Sequence, residues 1–206
     1  MAVRRNGLKA QEKILRAADK LFGESGYDAV STREIAELAG VNKALIHYHF
    51  KSKEDLLAAV LDDYYERANQ ALMAALAAPG APRDMMRRVI DAYCDFLAHN
   101  RSFSRIVQRE GAGGPHEGLI RKRLQGMFTA GITAVQAAWP ASRSGDMAAH
   151  HLLVSFYGMI VSYFTYSDLL KHLTGVNPLS RQQLAQRKQH LYRMVDIVAM
   201  DLETTG

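Results

Sequence analysis

Apolar residues recur along this chain at spacings of three and four almost everywhere, and no segment alternates apolar with polar residues over the length of a strand. A period near 3.6 buries one stripe of a helix, whereas a half-buried strand needs a period of two, so the pattern predicts an all-α fold. Ile14, Ala18, Leu21 and Phe22 share a face of a first helix, which the stretch 23–26, with a glycine at each end, terminates. Ser31 and Glu34 have the spacing of a capping box, which starts a second helix near Thr32. That helix turns Ile35, Ala36, Leu38 and Ala39 inward and stops at Gly40, a residue suited to the positive φ of a tight turn. Asn42 caps a third helix through KALIHYHF, where Ile46 and Phe50 lie one turn apart. Ser52 and Asp55 open a fourth helix past Tyr64 and Tyr65 toward Ala78, and PGAP at 79–82 breaks the chain.

Further helices are predicted over 83–99, 102–110, 117–138, 145–172 and 180–203, with clusters of Gly, Pro and Ser breaking the chain at 111–115, 140–145 and 175–178. At 206 residues, with 48% hydrophobic and 23% charged, the chain can bury a substantial core in one large domain or two small ones. The charge-free run 147–167 carries His150, His151, Ser155, Ser162, Thr165 and three tyrosines, too polar for a membrane span, and reads as a buried helix. Cys94 is the single cysteine; it has no partner for an intramolecular disulfide, which favours a reducing compartment and a role as a small buried hydrophobe. No apolar stretch follows the early arginines of MAVRRNGLKAQEK, so no secretory signal is expected and the location expected is cytoplasmic. A formal charge of +5 biases the chain mildly toward anionic partners.

Residues 32–50 form helix, glycine turn, helix, the arrangement whose second helix enters the major groove of DNA. Once Ile46 and Phe50 turn to the core, the third helix presents Lys43, Ala44, Leu45, His47, Tyr48 and His49. A cation, two imidazoles, a phenol and small apolar groups suit phosphates, base edges and thymine methyls. Lys51 and Lys53 follow at once, and Lys53 at the start of the fourth helix could share a phosphate with its N-terminal amides. Thr32 with Arg33 offers a similar pair at the second helix, and Arg4, Arg5 and Lys9 make an acid-free basic arm.

The stretch ILRAADKLFGESGYDAVSTREIAELAGVNKALIHYHFKSKEDLL resembles the N-terminal DNA-binding domain of the TetR family of transcriptional regulators. Phe22, Gly26, Thr32, Ile35, Ala36, Gly40, Val41, Phe50, Lys53 and Leu56 fall where that family has its recurring residue types. The resemblance implies that Thr32, Arg33, Lys43, Leu45, His47, Tyr48, His49 and Lys53 occupy DNA-contacting positions, with Thr32 and Lys53 on phosphates. One departure is His47, at a position where the family commonly has tyrosine; an imidazole and a phenol reach different points. The resemblance further implies a helix-turn-helix domain over 1–52 and a helical ligand-binding and dimerisation domain over 53–206, with the helices at 145–172 and 180–203 pairing in a homodimer.

Catalytic and metal motifs fail on spacing. Gly23, Ser25 and Gly26 would make a nucleophile elbow, but its closing glycine position is Tyr27 and no strand precedes it. His116 and Glu117 begin a zinc-protease pattern whose second histidine position is Ile120. Gly111, Gly113 and Gly114 lack the strand a dinucleotide loop requires, and neither His47 with His49 nor His150 with His151 shares a helix face for one ion. No enzyme activity, metal or cofactor is expected. An architectural DNA binder remains an alternative, marked by affinity without discrimination between sequences, and a small helical enzyme is the lesser one.

In the middle helices, Tyr93, Phe96, Leu97, Phe103, Met127, Phe128, Phe156, Tyr157, Ile160, Tyr163 and Phe164, with Ile106 and Trp139, outline an aromatic pocket with few polar handles. The expectation is a homodimeric transcriptional regulator of double-stranded operator DNA, a repressor released by a small apolar or aromatic effector ligand.

Overall fold

The computed structural model describes the backbone of residues 2–111 and 113–205 and the side chains of 9–111 and 113–204. The described residues contain ten α-helices and no strand. They are α1 (Ala2–Ser25), α2 (Thr32–Ala39), α3 (Lys43–His49), α4 (Lys53–Ala77), α5 (Pro82–His99), α6 (Arg101–Gly111), α7 (Glu117–Ala138), α8 (Ala149–Thr165), α9 (Ser167–Thr174) and α10 (Arg181–Thr205), with a short 3-10 turn at Pro140–Arg143. None is long and apolar enough to cross a membrane.

Helix boundaries follow their caps. Glu34 N donates to Ser31 Oγ at 3.2 Å while Ser31 N donates to Glu34 Oε2 at 2.7 Å, so the box closes in both directions and α2 starts at Thr32. Gly40 ends α2 at φ 63°, and Asn42 Oδ1 accepts from Ala44 N at 2.9 Å to begin α3. Asp55 N donates to Ser52 Oγ at 3.0 Å at the head of α4. The helices predicted over 83–99, 102–110, 117–138 and 180–203 form within two residues of those limits.

The helix predicted over 145–172 is instead two. Gly145 lies at φ 79° and Ala148 is extended, so α8 begins only at Ala149. At Tyr166, ψ of 20° carries the backbone off the helical path; its N–H closes α8 on Ser162 O at 2.9 Å and its carbonyl starts α9 through Leu170 N at 2.8 Å. With no glycine or proline at the join, the apolar periodicity runs through it unbroken.

The chain groups into two compact units, Met1–Glu66 with Arg101–Arg123, and Arg67–Asn100 with Leu124–Gly206. In the first, α1 packs on α2, α3 and α6 around Ile14, Phe22, Ile35, Ile46 and Leu57. In the second, α5 packs on α8 and α10, and Val135, Trp139, Ala149, Ala199 and Leu202 form a buried cluster. Arg87 ties to Asp196 at 2.7 Å, and Lys188 to Asp95 at 2.8 Å and Asp91 at 3.2 Å, which fixes α5 against α10. The family resemblance implies a division by role between 52 and 53. Compactness divides it otherwise, because α6 packs on α1 and draws 101–123 into the unit holding α2 and α3.

Candidate nucleic-acid interface and an apolar cavity

The turn between α2 and α3 is tight: Gly40 N donates to Glu37 O at 3.1 Å and Val41 N to Ala36 O at 3.0 Å. In α3 and its cap, Ile46 at 1% exposure and Phe50 at 6% commit one face to the core. The opposite face shows Lys43, Ala44, Leu45, His47 and Tyr48, with Tyr48 82% exposed and Leu45 37%. The Tyr48 phenol and the Leu45 isobutyl group are both accessible to a partner laid on this face. An α-helix with its side chains is about 10–12 Å across, which fits the roughly 12 Å width of a B-DNA major groove. Arg33 is exposed and Thr32 half-buried in the first turn of α2, and Lys9 and Lys51 are exposed as well. The side chains of Arg4 and Arg5 lie outside the described residues.

Two of the eight candidate contact residues are placed differently from the sequence expectation. His49 is half-buried, its ring 5.1 Å from that of Tyr48, and its Nε2 is shut off from solvent without a hydrogen-bond partner among the described residues. Lys53, the first residue of α4, points its ammonium into the protein: Nζ donates to Tyr27 O and Val30 O, each at 3.0 Å, and sits 4.1 Å from the centre of the Tyr27 ring. A compact cation so engaged ties α4 to the turn ahead of α2 instead of standing free for a phosphate.

Tyr27 is a residue that sequence reasoning missed. Its ring packs 4.3 Å from His116, which is buried and bonded through Nδ1 to Glu110 Oε2 at 2.7 Å, and burial, then the nearby Glu54, Asp28 and Glu110 carboxylates, push the Tyr27 phenol pKa up. No local spacing signals this assembly, since its members come from three separate stretches of chain.

In the second unit a cavity of about 150 Å³ lies among α4, α5, α7, α8 and α10. Of the predicted pocket residues, Tyr93, Met127, Phe128, Phe156, Tyr157 and Ile160 line it, as does Trp139. Phe96, Leu97, Phe103, Tyr163 and Phe164 do not. Phe96 and Leu97 are buried on α5. Phe103, with Ile106, belongs to the first unit, where its ring packs at 5.1 Å on Tyr64 and 5.2 Å on Tyr65. Tyr163 donates to Pro178 O at 2.7 Å under the Arg187 guanidinium, and Phe164 is buried against Tyr163. Aliphatic groups absent from the prediction complete the wall: Leu72, Met73, Leu76, Met86, Val89, Ile90, Leu124, Val135, Leu152, Leu153, Val195, Val198, Ala199 and Leu202, with Gly131. Their helical spacing is that of any core residue, so periodicity could not single them out. Among the described residues, no Lys, Arg, His, Asp or Glu lines the cavity. Cys94 is buried nearby on α5, where desolvation pushes its thiol up to about 12, the behaviour of a small hydrophobe.

The outer side of α8 shows Val154, Ser155, Gly158 and Ser162, with Val154 60% exposed, and α10 exposes Ile197 and Met200. Small and apolar groups in one row permit close approach of another helix.

Residues 14–60 match the family model described as bacterial regulatory proteins, tetR family. The HTH-type transcriptional regulator BetI of Rhizobium meliloti is 35% identical over 146 residues, 68% of this chain and 72% of that protein. The HTH-type transcriptional repressor NicS of Pseudomonas putida is 28% identical over 152 residues, 71% of this chain and 70% of that one. Among solved structures, AibR in complex with isovaleryl coenzyme A and operator DNA superposes with a TM-score of 0.72 at 19% identity, covering 90% of this chain and 97% of that one, a likeness of fold.

Proposed function

This chain belongs to the tetR family of bacterial regulatory proteins, and on that premise we propose that it is a repressor that binds a near-palindromic operator as a homodimer and is released by a small, largely apolar ligand. The observation that carries the reading is the exposed face of α3, where Lys43, Leu45, His47 and Tyr48 stand clear of a core to which Ile46 and Phe50 are committed. Residues 1–52 form the reading head. Thr32, Arg33 and Lys43 supply phosphate contacts; Leu45, His47 and Tyr48 face base edges; His49 and Lys53 hold the head in shape.

A second copy of the chain packs on the outer faces of α8 and α10, around Val154, Ile197 and Met200, and twofold symmetry of the protein sets the near-palindrome of the site. The apolar cavity supplies the ligand site. Support for repression comes from the name of NicS, and support for a regulator that holds both a small molecule and an operator from AibR. A ligand releases the operator only to the extent that it binds the DNA-incompetent arrangement more tightly; a tenfold loss of operator affinity needs about 1.4 kcal/mol of coupling.

Selection of bound fragments from genomic DNA, followed by sedimentation of the protein with the selected duplex, tests the proposal. The expected result is one inverted-repeat sequence bound by a dimer. Fragments without a shared motif, or a monomer on an asymmetric site, would overturn it.

A further inference from the structure

The cavity in the second unit is closed to charge by its composition. Taking an isolated carboxylate or ammonium out of water costs several kcal/mol unless an opposite charge meets it, and the lining residues offer none. Its size is equally restrictive. An apolar cavity of about 150 Å³ holds a molecule of benzene's dimensions, roughly six to eight heavy atoms.

Polar groups on the wall are few. The Trp139 indole donates to Glu203 Oε1 at 3.4 Å. Tyr157 differs: its ring is held between Tyr93, stacked at 6.4 Å, and Phe128, edge-on at 5.3 Å, while its hydroxyl makes no hydrogen bond among the described residues. Burial pushes that phenol up from its ordinary pKa, so it stays a protonated donor across the neutral range. A phenol donor among otherwise apolar groups favours a ligand that brings an acceptor, because an apolar ligand would cover the hydroxyl and leave it unpaired.

We propose that Tyr157 determines the specificity of this cavity, and that the ligand is an uncharged molecule of single-ring size carrying one hydrogen-bond acceptor, such as a cyclic ketone or ether. The assignment rests on reading the cavity as the effector site and narrows that reading to a chemical class.

Three probes of similar size separate the terms: cyclohexanone, which has an acceptor; methylenecyclohexane, which has the same shape without one; and benzoate, which is charged. Calorimetry on the full-length protein should show cyclohexanone binding about tenfold more weakly to Tyr157→Phe than to wild type. Methylenecyclohexane should bind both within about twofold, and benzoate neither. Gly131→Leu should abolish binding of both neutral probes, because a Cβ at this position already comes within 3.1 Å of Leu153 Cδ1 and the longer chain fills the space. Equal changes for the two neutral probes on Tyr157→Phe, benzoate binding as tight as cyclohexanone, binding that survives Gly131→Leu, or no binding of any probe would each overturn the proposal. Operator titration with bound cyclohexanone tests the other reading separately: binding without loss of operator affinity leaves the ligand class standing and removes the effector role.

Discussion

The ammonium of Lys53 lies 4.1 Å from the centre of the Tyr27 ring and donates to the carbonyl of that same residue, so one side chain at the start of α4 clasps both the π face and the backbone of the turn ahead of α2. The two residues are 26 apart in sequence. The first turn of α4 is thereby held to the segment that leads into α2 and α3.

Lys53→Met keeps the length of the side chain and removes these bonds. Hydrogen bonds from a charged donor contribute about 1.5–3 kcal/mol, so urea unfolding should show a loss of about 2 kcal/mol. The logarithmic salt slope of operator binding should stay unchanged. A slope lowered by about one would show that the ammonium leaves Tyr27 for a phosphate in the complex.

Lys43 and Leu45 are both exposed on α3 but differ in what they offer DNA. Lys43→Ala should weaken every duplex alike and reduce the salt slope by about one. Leu45→Ala should leave the slope alone and relax preference at a single base pair, where an apolar side chain meets a thymine methyl. Titrations of the selected operator and its single-base variants at several salt concentrations distinguish the two.

Gly23 sits inside α1, where alanine would ordinarily gain about 1 kcal/mol of helix propensity. Here a Cβ would come within 2.6 Å of Ser102 Cβ and 3.0 Å of Ser102 Cα on α6, and backbone cannot swing aside as a side-chain end does. Overpacking of this kind costs about 1–3 kcal/mol, so Gly23→Ala should lower the thermal midpoint. Ser102→Gly in the same chain should restore much of it. A midpoint raised by the single substitution would mean that α1 and α6 separate freely.

Glu203 at the end of α10 accepts hydrogen bonds from the Arg83 guanidinium at the start of α5, and that bond holds its carboxyl below the usual glutamate range. A carboxyl depressed in the folded state stabilises the fold above its unfolded pKa, and the contribution disappears as pH falls through the folded value. Wild type should therefore melt above Glu203→Gln at neutral pH, and the gap should close as pH is lowered through and below the ordinary glutamate range. A gap independent of pH would assign the effect to packing on Trp139.

How far the sequence reaches depends on the range of the interaction. Ser31 with Glu34, Gly40, and Asn42 with Ala44 act over three residues or fewer, and a cap acts the same way whatever surrounds it, so the limits of α2 and α3 are legible in the amino-acid sequence alone. The exposure of Lys43, Leu45 and Tyr48 follows from helical period once Ile46 and Phe50 are turned inward. Tertiary structure decided what depends on the path of the chain. It engaged Lys53 with Tyr27, set α6 on α1, and ended α8 at Tyr166, where no breaker residue stands. It also chose among apolar residues with one and the same spacing: Phe128 and Tyr157 reached the cavity, while Phe103 packed on Tyr64 and Phe164 against Tyr163. Burial depends on which distant surfaces meet, and helical periodicity specifies the face that must be covered without specifying what covers it.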